Sequence, residues 1–434
     1  MKQIAWIISP PAKGSGGFRT ICSKASFLDS RGYENYFYIM PGCEAYKSAH
    51  RVQTEIKDWF GYSPKEVLVA PSVPEDFFAV IATAWNTAHF ASMQMCAHKF
   101  YFIQDFEPWF YPMGEMYLNA EASYRYELNP ITIGRWLSKK VEPYYSHEVP
   151  YCDFGVSDIY TAQEQNLSRE YAVCAIYQSN KDRRLSGMLL DAIKLLLKLD
   201  DAVVVYLYGE DAMPPIRDPR VRSLGILTAD ECASLYAKCV AGVSLSVTNP
   251  SRLPFEMLAS KLSVIEIYRE NNLLDFPEGT IHLAEPSACG IASSILEALS
   301  GSKCDSPNRF SCTSIERENE MFFEAFTRYL NEEPSLASGK SAFGNVLKTE
   351  EQSKVFLLSD RLADARLRSS AMSQTLIQAS SVDLTVRFES ALMPVNVRAA
   401  VWRADDQSDI RWISLESRDG HFAGHVPLFL NDDE

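Results

Sequence analysis

The sequence contains no apolar run long enough to cross a bilayer, no CxxC pair and no HExxH motif. A membrane-spanning helix needs roughly 18–20 apolar residues, so we expect no transmembrane segment. The 10 cysteines are scattered and several lie in apolar runs, which favours small buried hydrophobes in a reducing compartment over disulfides. The 7 histidines are dispersed as well, so we predict neither a metal nor another bound cofactor.

A concentrated excess of basic residues is also missing. The chain has 42 Lys and Arg against 56 Asp and Glu, a formal net charge of -14. Nucleic-acid binding needs clustered cations, so this diffuse acidic balance argues against nucleic acid as a partner. It still permits a local basic pocket for one small phosphorylated ligand. The first residues lack the features of a signal peptide, and we interpret them as the first strand of a cytoplasmic protein.

The 434 residues, 47% of them hydrophobic, suffice for two or three domains. Apolar runs alternate with helical patterns, first at 3–9, 33–40, 67–70, 77–85, 99–106 and 153–156. The alternation restarts with runs at 171–177, 202–208, 222–227, 242–247, 263–268 and 280–284, between helices at 186–199, 228–239, 254–261 and 291–299. Short buried runs between helices predict an α/β fold of two parallel, doubly wound sheets facing a cleft at the carboxyl ends of the strands.

The predicted organisation has four parts: a first α/β domain, a second α/β domain, a helical linker or arm, and a small β module. Their ranges are 1–165, 166–333, 334–380 and 381–434. The polar stretch 161–170 is the predicted hinge, and a helix at 314–330 is assigned to the second domain. The module shows alternating strands at 382–388, 395–402, 410–415 and 422–428, with turns at 405–406 and 419–420. So few strands indicate a module that is incomplete or packs on something else.

Two segments at predicted strand ends could bind a phosphate. Gly16 and Gly17 follow the first strand and precede a helix, whose free N–H groups suit an anion. Lys181, Arg183 and Arg184 follow the first strand of the second sheet, and arginine suits bidentate phosphate contacts. A flexible turn and a solvated basic turn are the alternatives.

A third segment, 246–261, leads from a strand into a helix at Pro254. Glu256 falls in the first turn of that helix, where its charge complements the helix dipole. The functional alternative is that Glu256 accepts hydrogen bonds from the hydroxyls of a bound sugar.

The loop 102–113 combines aromatic rings with carboxylates, a common carbohydrate-binding surface. Packing of these rings into the core is the alternative. The residues concerned are Asp105, Glu107, Trp109 and Tyr111, with Trp85 and Asn86 at the end of the preceding strand. Further on, the run 131–140 predicts an amphipathic basic helix, packed on the domain or lying on a membrane surface.

These segments, in this order, resemble the GT-B glycosyltransferases of family 4, most of all the WsaF-type rhamnosyltransferases of bacterial surface polysaccharide synthesis. The resemblance lies in SGGFRTICSKASFLDSRGY, YFIQDFEPWFYPMGE and NPSRLPFEMLASKLSVIE, and extends over residues 1–330. It implies a GT-B fold of two Rossmann-like domains and a metal-independent, nucleotide-sugar-dependent hexosyl-type transferase. The implied donor is dTDP-rhamnose and the acceptor a glycan or lipid-linked glycan. Transfer with retention follows from the family, in the cytoplasm or at the inner face of the membrane.

The resemblance also implies roles for single residues. Glu256 matches the second glutamate of the EX7E motif, which holds the donor ribose or sugar, whereas the first glutamate falls on Thr248. Asp105 lies near the acceptor or the reacting sugar, where positioning is favoured over a role as a base. The implied donor-binding residues are Gly16, Gly17, Lys181, Arg183, Arg184, Gly225, Ile226, Thr248, Arg252 and Leu253.

Two other functions stay open. A degenerate GT-B protein could bind a sugar nucleotide or glycan as a scaffold in an assembly complex, and Thr248 and the C-terminal module motivate this hypothesis. A sugar-nucleotide epimerase would need no acceptor, and the aromatic loop disfavours it. In either case the C-terminal region could contact other polysaccharide-assembly enzymes.

Overall fold

A computed structural model describes residues 2–39, 48–69, 72–145, 147–162, 169–301 and 311–331, and four strands between 381 and 427. The chain divides into two compact units, Met1–Ala342 and Phe343–Glu434. The first unit contains two parallel sheets flanked by helices, which confirms the predicted α/β class.

The first sheet has seven parallel strands: β1 Lys2–Ile8, β2 Tyr33–Ile39, β3 Glu66–Val69, β4 Ala79–Ala82, β5 His98–Ile103, β6 Asn129–Ile133 and β7 Tyr151–Cys152. Five helices alternate with them: α1 Gly16–Ser30, α2 Ala49–Phe60, α3 Trp85–Ser92, α4 Glu115–Ala122 and α5 Arg135–Val141. The order across the sheet is β3-β2-β1-β4-β5-β6-β7. The winding reverses between β1 and β4, which is where ligands bind in open α/β sheets.

A short strand, β8 Gly155–Val156, links the two halves. The second sheet contains β9 Glu170–Ile176, β10 Val204–Tyr208, β11 Val221–Ser223, β12 Cys239–Val243, β13 Ser263–Ile267 and β14 His282–Ala284. Its order is β11-β10-β9-β12-β13-β14. The helices are α6 Ser186–Leu199, α7 Ala229–Lys238, α8 Leu253–Ala259 and α9 Ala288–Leu299. The inner strands β9, β10, β12 and β13 are largely buried, because helices cover each side of a parallel sheet, whereas the edge strand β11 is partly exposed.

The last described helix of this unit, α10 Ile315–Asn331, packs on the first sheet, although the chain reaches it from the second. It follows β15 Thr313–Ser314, which pairs with β8. Phe322 stacks on Trp6 with ring centroids 6.2 Å apart, and Phe326 lies 4.6 Å from Phe100. The apolar stripe of α10 therefore covers the first sheet, a placement that order along the chain does not predict.

Two predicted elements need correction. The run 131–140 is not one basic helix: β6 continues to Ile133, and α5 begins after Gly134, whose φ of 90° separates the two. Residues 131–133 are buried and pair with β5 or β7, so the apolar half of the run belongs to the sheet. The run 77–85 is a strand only over Ala79–Ala82, and Trp85 begins α3.

Six cysteines behave as the predicted buried hydrophobes: Cys22, Cys96, Cys152, Cys174, Cys232 and Cys239 are buried and free. Among the helices of the described residues, none has the length and apolar content of a membrane span.

The second unit contains the four predicted strands, β16 Ser381–Arg387, β17 Val397–Val401, β18 Arg411–Arg418 and β19 His421–Pro427. They form an antiparallel sheet in the order β16-β19-β18-β17. The predicted helical arm at 334–380, the turns at 405–406 and 419–420, and residues 163–168 of the predicted hinge lie outside the described residues.

Candidate active site

The loops at the carboxyl ends of the two sheets lie against each other. Gly14, after β1, is so close to the loop after β11 that an added Cβ would lie 3.6 Å from Ile226 Cγ2. The loops after β9 and β12 share the carboxyl edge of the second sheet, and hydrogen bonds join both of them to the loop after β5 of the first. This edge holds the predicted donor and acceptor segments.

Asp105 follows β5 and bonds to both sheets. Its Oδ2 accepts hydrogen bonds from Arg183 Nη1 at 2.7 Å and from Thr248 Oγ1 at 2.9 Å. Its Oδ1 accepts from the backbone N–H groups of Asn249 and Phe106, each at 2.8 Å. Burial raises the pKa of Asp105, and the Arg183 cation and these hydrogen bonds oppose the rise. The structure thus places Asp105 against the predicted donor-side residues.

Arg184 is buried in the turn that follows β9. Its Nη2 donates to Ser251 Oγ at 3.1 Å and its Nη1 donates weakly to the Leu245 carbonyl at 3.4 Å. Its Nε is buried and has no hydrogen-bond partner among the described residues. Burial, followed by the neighbouring Arg183 cation, lowers the pKa of Arg184 to about 10. This guanidinium therefore retains a buried donor without a protein partner.

Lys181 adds a third cation to the same turn. Its Nζ donates to Gln178 Oε1 at 3.2 Å. Loss of hydration, and then the Arg183 and Arg184 charges, lower its pKa to about 8. Mutual repulsion within such a cluster falls when an anion binds, so the turn suits a phosphate group.

Glu256 lies in the first turn of α8, as predicted, and it is buried. The Tyr160 hydroxyl donates a hydrogen bond to it. Burial raises the pKa of Glu256, while the Arg252 and Arg19 cations lower it. Because Arg19 belongs to α1, charges from both sheets meet at this carboxylate.

Arg252, a predicted donor-binding residue, is engaged elsewhere. It forms an ion pair with Glu318 of α10 at 2.5 Å, and its Nη2 donates to Thr20 Oγ1 at 3.0 Å. It also donates to the Gly155 carbonyl. Its guanidinium thus joins α8 to α1 and α10, next to the site. Leu253 begins α8 beside it.

The predicted glycines differ in their surroundings. Gly17 is in the first turn of α1, where a Cβ would lie 3.2 Å from Gln104 Oε1, whereas Gly16 has open space around it. Gly225 has a φ of +69°, which favours glycine. The neighbouring Ile226 N–H donates to Asp211 Oδ1 at 3.2 Å. The backbone carbonyl of Ile226 is therefore the group left to contact the nucleobase of a donor.

Three predicted acceptor-side residues come together. Glu107 Oε2 accepts from the backbone N–H of Trp85 at 2.5 Å, at the start of α3, and from the Tyr101 hydroxyl at 3.4 Å. The Trp85 indole Nε1 donates to the Tyr111 hydroxyl at 3.1 Å. Glu107 thus satisfies a backbone donor at the start of α3 and positions the aromatic pair.

Trp109 and Asn86 differ in their surroundings. Trp109 lies 5.5 Å from Trp136, and Lys140 Nζ is 4.4 Å from its ring, so packing accounts for its aromatic surface. Asn86 is exposed at the cleft edge, where its Oδ1 accepts from Ser9 Oγ at 3.4 Å. The sugar-facing candidates are therefore Trp85, Tyr111 and Asn86.

Glu107 should make the free energy of unfolding fall as the pH rises from 6 to 8. Burial raises its pKa to about 8, above the roughly 4.3 of an unfolded glutamate. The stabilisation is complete below the lower value and is lost as pH rises toward 8. Between pH 6 and 8 the wild-type chain should lose about 2 kcal/mol of unfolding free energy that the variant Glu107→Gln does not lose. Urea unfolding at both pH values measures the difference. Equal losses in the variant and the wild-type chain would contradict this account.

Two buried polar residues that support the loop after β12 escaped the sequence reasoning. Glu266, in β13, accepts from Ser244 Oγ at 2.6 Å and from the Ser246 N–H at 3.0 Å. Asn271 Nδ2 donates to the Ser246 carbonyl at 2.9 Å. A carboxylate inside the apolar run SVIEI was the signal for Glu266, because a buried charge needs dedicated partners.

Glu210, at the carboxyl end of β10, also supports the donor side. Its Oε2 accepts from the Ser179 N–H at 2.6 Å and from Ser179 Oγ at 3.1 Å. It therefore holds the start of the turn that carries Lys181, Arg183 and Arg184, here called the cationic turn. Its place at a strand end was the available signal. Within the described ranges, no group of three or more His, Cys, Asp or Glu side chains is arranged to hold a metal ion.

Sequence comparison relates part of the chain to a family model and to a protein of O-antigen biosynthesis. The family model described as the C-terminal domain of WsaF matches residues 172–296, which include the cationic turn and Glu256. The O-antigen biosynthesis protein RfbC of Myxococcus xanthus is 27% identical over 271 residues, which is 60% of this chain. The chain spans about a fifth of that relative, 21% of its length.

Structural comparison settles the architecture. HepE of Anabaena, solved with UDP and glucose, aligns with a TM-score of 0.56 at 12% identity, over 75% of this chain and 100% of that one. The pneumococcal O-GlcNAc transferase GtfA, solved with UDP and GlcNAc, aligns with a TM-score of 0.52 at 10% identity, over 76% and 99%. The fold is GT-B. In GT-B terms, the cationic turn and Glu256 belong to the second Rossmann-like domain, and the aromatic loop belongs to the first.

Proposed function

We propose that this GT-B chain is a glycosyltransferase that uses a nucleotide sugar in bacterial surface polysaccharide synthesis. The observation that carries the proposal is the cationic turn, where Lys181, Arg183 and Arg184 converge and Arg184 Nε is buried without a partner. A buried, unfilled donor on a cation costs free energy until an anion fills it. A diphosphate supplies both the charge and the acceptor oxygens.

The donor we favour carries rhamnose on a nucleoside diphosphate, dTDP in the first place. The resemblance to WsaF supports rhamnose, while the UDP bound to HepE and GtfA makes a uridine donor the competing candidate. The acceptor is a glycan or lipid-linked glycan on Trp85, Tyr111 and Asn86. A cytoplasmic place, free or at the inner membrane face, belongs to the same proposal.

The cationic turn would stabilise the leaving diphosphate during sugar transfer. The bond from the anomeric carbon to the diphosphate oxygen breaks, the acceptor hydroxyl oxygen forms the new bond, and the hydroxyl proton passes to the leaving diphosphate. Arginine and lysine charges stabilise the developing anion, which is where preorganised electrostatics contributes most. Attack on the face that the diphosphate leaves gives retention, and the charge compensation needs no divalent cation.

A nucleotide panel tests the proposal. We expect one of UDP, dTDP or GDP, at about 100 times its Kd, to add close to 3 kcal/mol to the free energy of unfolding. Thermal unfolding with each nucleotide measures it. Arg183→Gln should abolish the selective shift. Arg217→Gln, at an exposed arginine of the same Rossmann-like domain, is the matched control and should keep it.

Absence of a shift with all three nucleotides would overturn the proposal. A shift without transfer of sugar to any acceptor would instead favour the scaffold hypothesis that Thr248 motivated. Glu256→Gln separates these cases, because it should abolish transfer by an enzyme and leave assembly by a scaffold unchanged.

A further inference from the structure

Asp105 has no hydrogen-bonding capacity left for a substrate. A carboxylate offers about four acceptor positions, two on each oxygen. Asn249 N and Phe106 N fill those of Oδ1, and Arg183 Nη1 and Thr248 Oγ1 fill those of Oδ2. The side chain is only 9% exposed. A proton-accepting base must reach the substrate hydroxyl, and this carboxylate does not.

The donors to Asp105 come mainly from the other Rossmann-like domain. Asp105 follows β5 of the first sheet, whereas Arg183, Thr248 and Asn249 belong to loops of the second. Asn249 reinforces this junction, because its Nδ2 donates to the Gln104 carbonyl at 2.8 Å and to the Ile133 carbonyl at 3.1 Å. One carboxylate therefore connects the cationic turn and the loop after β12 to the domain that carries the aromatic loop.

Arg183 is held from two directions. Asp105 Oδ2 engages Nη1, and the Phe110 ring lies 5.0 Å from the guanidinium carbon. A guanidinium has five N–H donors, so most of them remain for a phosphate. Fixing the side chain in advance lowers the entropy that binding would otherwise cost.

We infer that Asp105 is a positioning residue, which holds Arg183 and the 248–249 loop ready for the diphosphate of the donor. The inference rests on the proposed function. The same short segment carries Glu107, which positions Trp85 through its backbone N–H. Donor-side order is thereby connected to the acceptor-side aromatic pair through Asp105, Phe106 and Glu107.

The variant Asp105→Asn tests this role. Asparagine keeps the shape, but its amide cannot pair with Arg183 as a carboxylate does. With the nucleoside diphosphate that stabilises the wild-type chain most, we expect the Kd by calorimetry to rise about tenfold or more. The donor KM should rise with it, while kcat falls by a smaller factor. A base would show the reverse pattern, with an unchanged Kd and a kcat loss of about 100-fold or more.

Two further variants isolate the path of the effect. In a double-mutant cycle, Asp105→Asn should weaken nucleotide binding much less when Arg183→Gln is already present. Thr248→Val removes one of the four donors with little change of shape and should weaken binding in the same direction by a smaller factor. It also guards against a folding defect in Asp105→Asn.

Asp275→Asn is the matched control. Asp275 also bridges the domains, since its carboxylate accepts from the Arg135 N–H at 2.6 Å and from the Trp136 N–H at 3.2 Å. Neither bond involves Lys181, Arg183 or Arg184, so the nucleotide affinity of this variant should stay near the wild-type value. Equal losses in Asp105→Asn and Asp275→Asn would show that domain closure alone matters and would overturn the inference.

The outcomes also separate this inference from the proposed function. If the wild-type chain binds no nucleotide, the proposed function fails. If the wild-type chain binds and Asp105→Asn binds equally well or more tightly, the function stands and Asp105 is no positioning residue. Tighter binding would mean that Asp105 competes with the diphosphate for Arg183.

Discussion

Glu318→Gln is expected to cost about 3–5 kcal/mol of folding stability, the usual cost of removing one member of a buried charge network. Glu318 lies between Lys24 Nζ at 2.6 Å and Arg252 Nη1 at 2.5 Å, and the Lys24 and Glu318 side chains are 0% and 1% exposed. The Gly155 N–H also donates to Glu318 at 2.7 Å. The substitution leaves two buried cations without their carboxylate. Urea unfolding at neutral pH measures the loss.

The pH dependence gives a second signature of Glu318. Burial alone would raise its pKa, but the Arg252 and Lys24 cations together lower it to about 2. Its stabilisation is therefore present above the unfolded pKa of roughly 4.3 and is lost as pH falls toward 2. Glu318→Gln should flatten the acid limb of a stability–pH curve.

Glu320→Gln is the matched control on the same helix. Glu320 pairs with Arg317 at the surface, with side chains 39% and 49% exposed. Such pairs contribute about 0–1 kcal/mol, so this variant should unfold almost as the wild-type chain does. A loss at Glu318 no larger than this would show that α10 is held by its aromatic contacts alone.

Arg184→Met is expected to change binding and stability in opposite directions. Loss of a buried cation at the diphosphate should weaken nucleotide binding by about 2–4 kcal/mol, or roughly 30- to 1,000-fold. The ligand-free chain should become equally or more stable, by about 1 kcal/mol, because methionine needs no partner in place of the unfilled Nε. Calorimetry with the nucleotide and thermal unfolding without it measure the two effects.

Arg169→Met is expected to show the opposite pattern. Arg169 donates to three backbone carbonyls, those of Tyr236 at 2.8 Å, Cys239 at 2.5 Å and Ser260 at 2.6 Å. Its loss should destabilise the second domain and leave nucleotide affinity unchanged. If Arg184→Met behaves like Arg169→Met, Arg184 is a structural residue and the donor site lies elsewhere.

Local patterns were sufficient for the elements and for part of the site. The helix predicted at 186–199 is α6 with the same bounds, and the predicted runs of the second sheet each overlap a strand. The cationic turn was found because strand ends of parallel sheets gather at one edge. The aromatic loop was found from its composition, although Trp109 proved to be a packing residue.

One wrong element and one unforeseen contact have the same physical source. The run 131–140 has helical spacing, but its first residues pair with β5, and strand pairing overrode the local preference. Arg252 stays a predicted donor-binding residue, and its motif gave no sign that a carboxylate 66 residues further along the chain engages it. Spacing along the chain carries no information on such partners.

The sequence by itself determined the α/β class, the two sheets, the four-stranded module and the residues that gather at the carboxyl edge. Hydrophobic periodicity and the residues that begin or end each element are local features of the sequence. They can therefore be recognised without knowledge of the tertiary structure. The tertiary structure alone decided that α10 covers the first sheet and that Glu318 neutralises Lys24 and Arg252. It also decided that Asp105 bonds to Arg183, Thr248 and Asn249. Those pairings depend on how distant segments cross in space, and buried charges take whichever partner that crossing brings within hydrogen-bond reach.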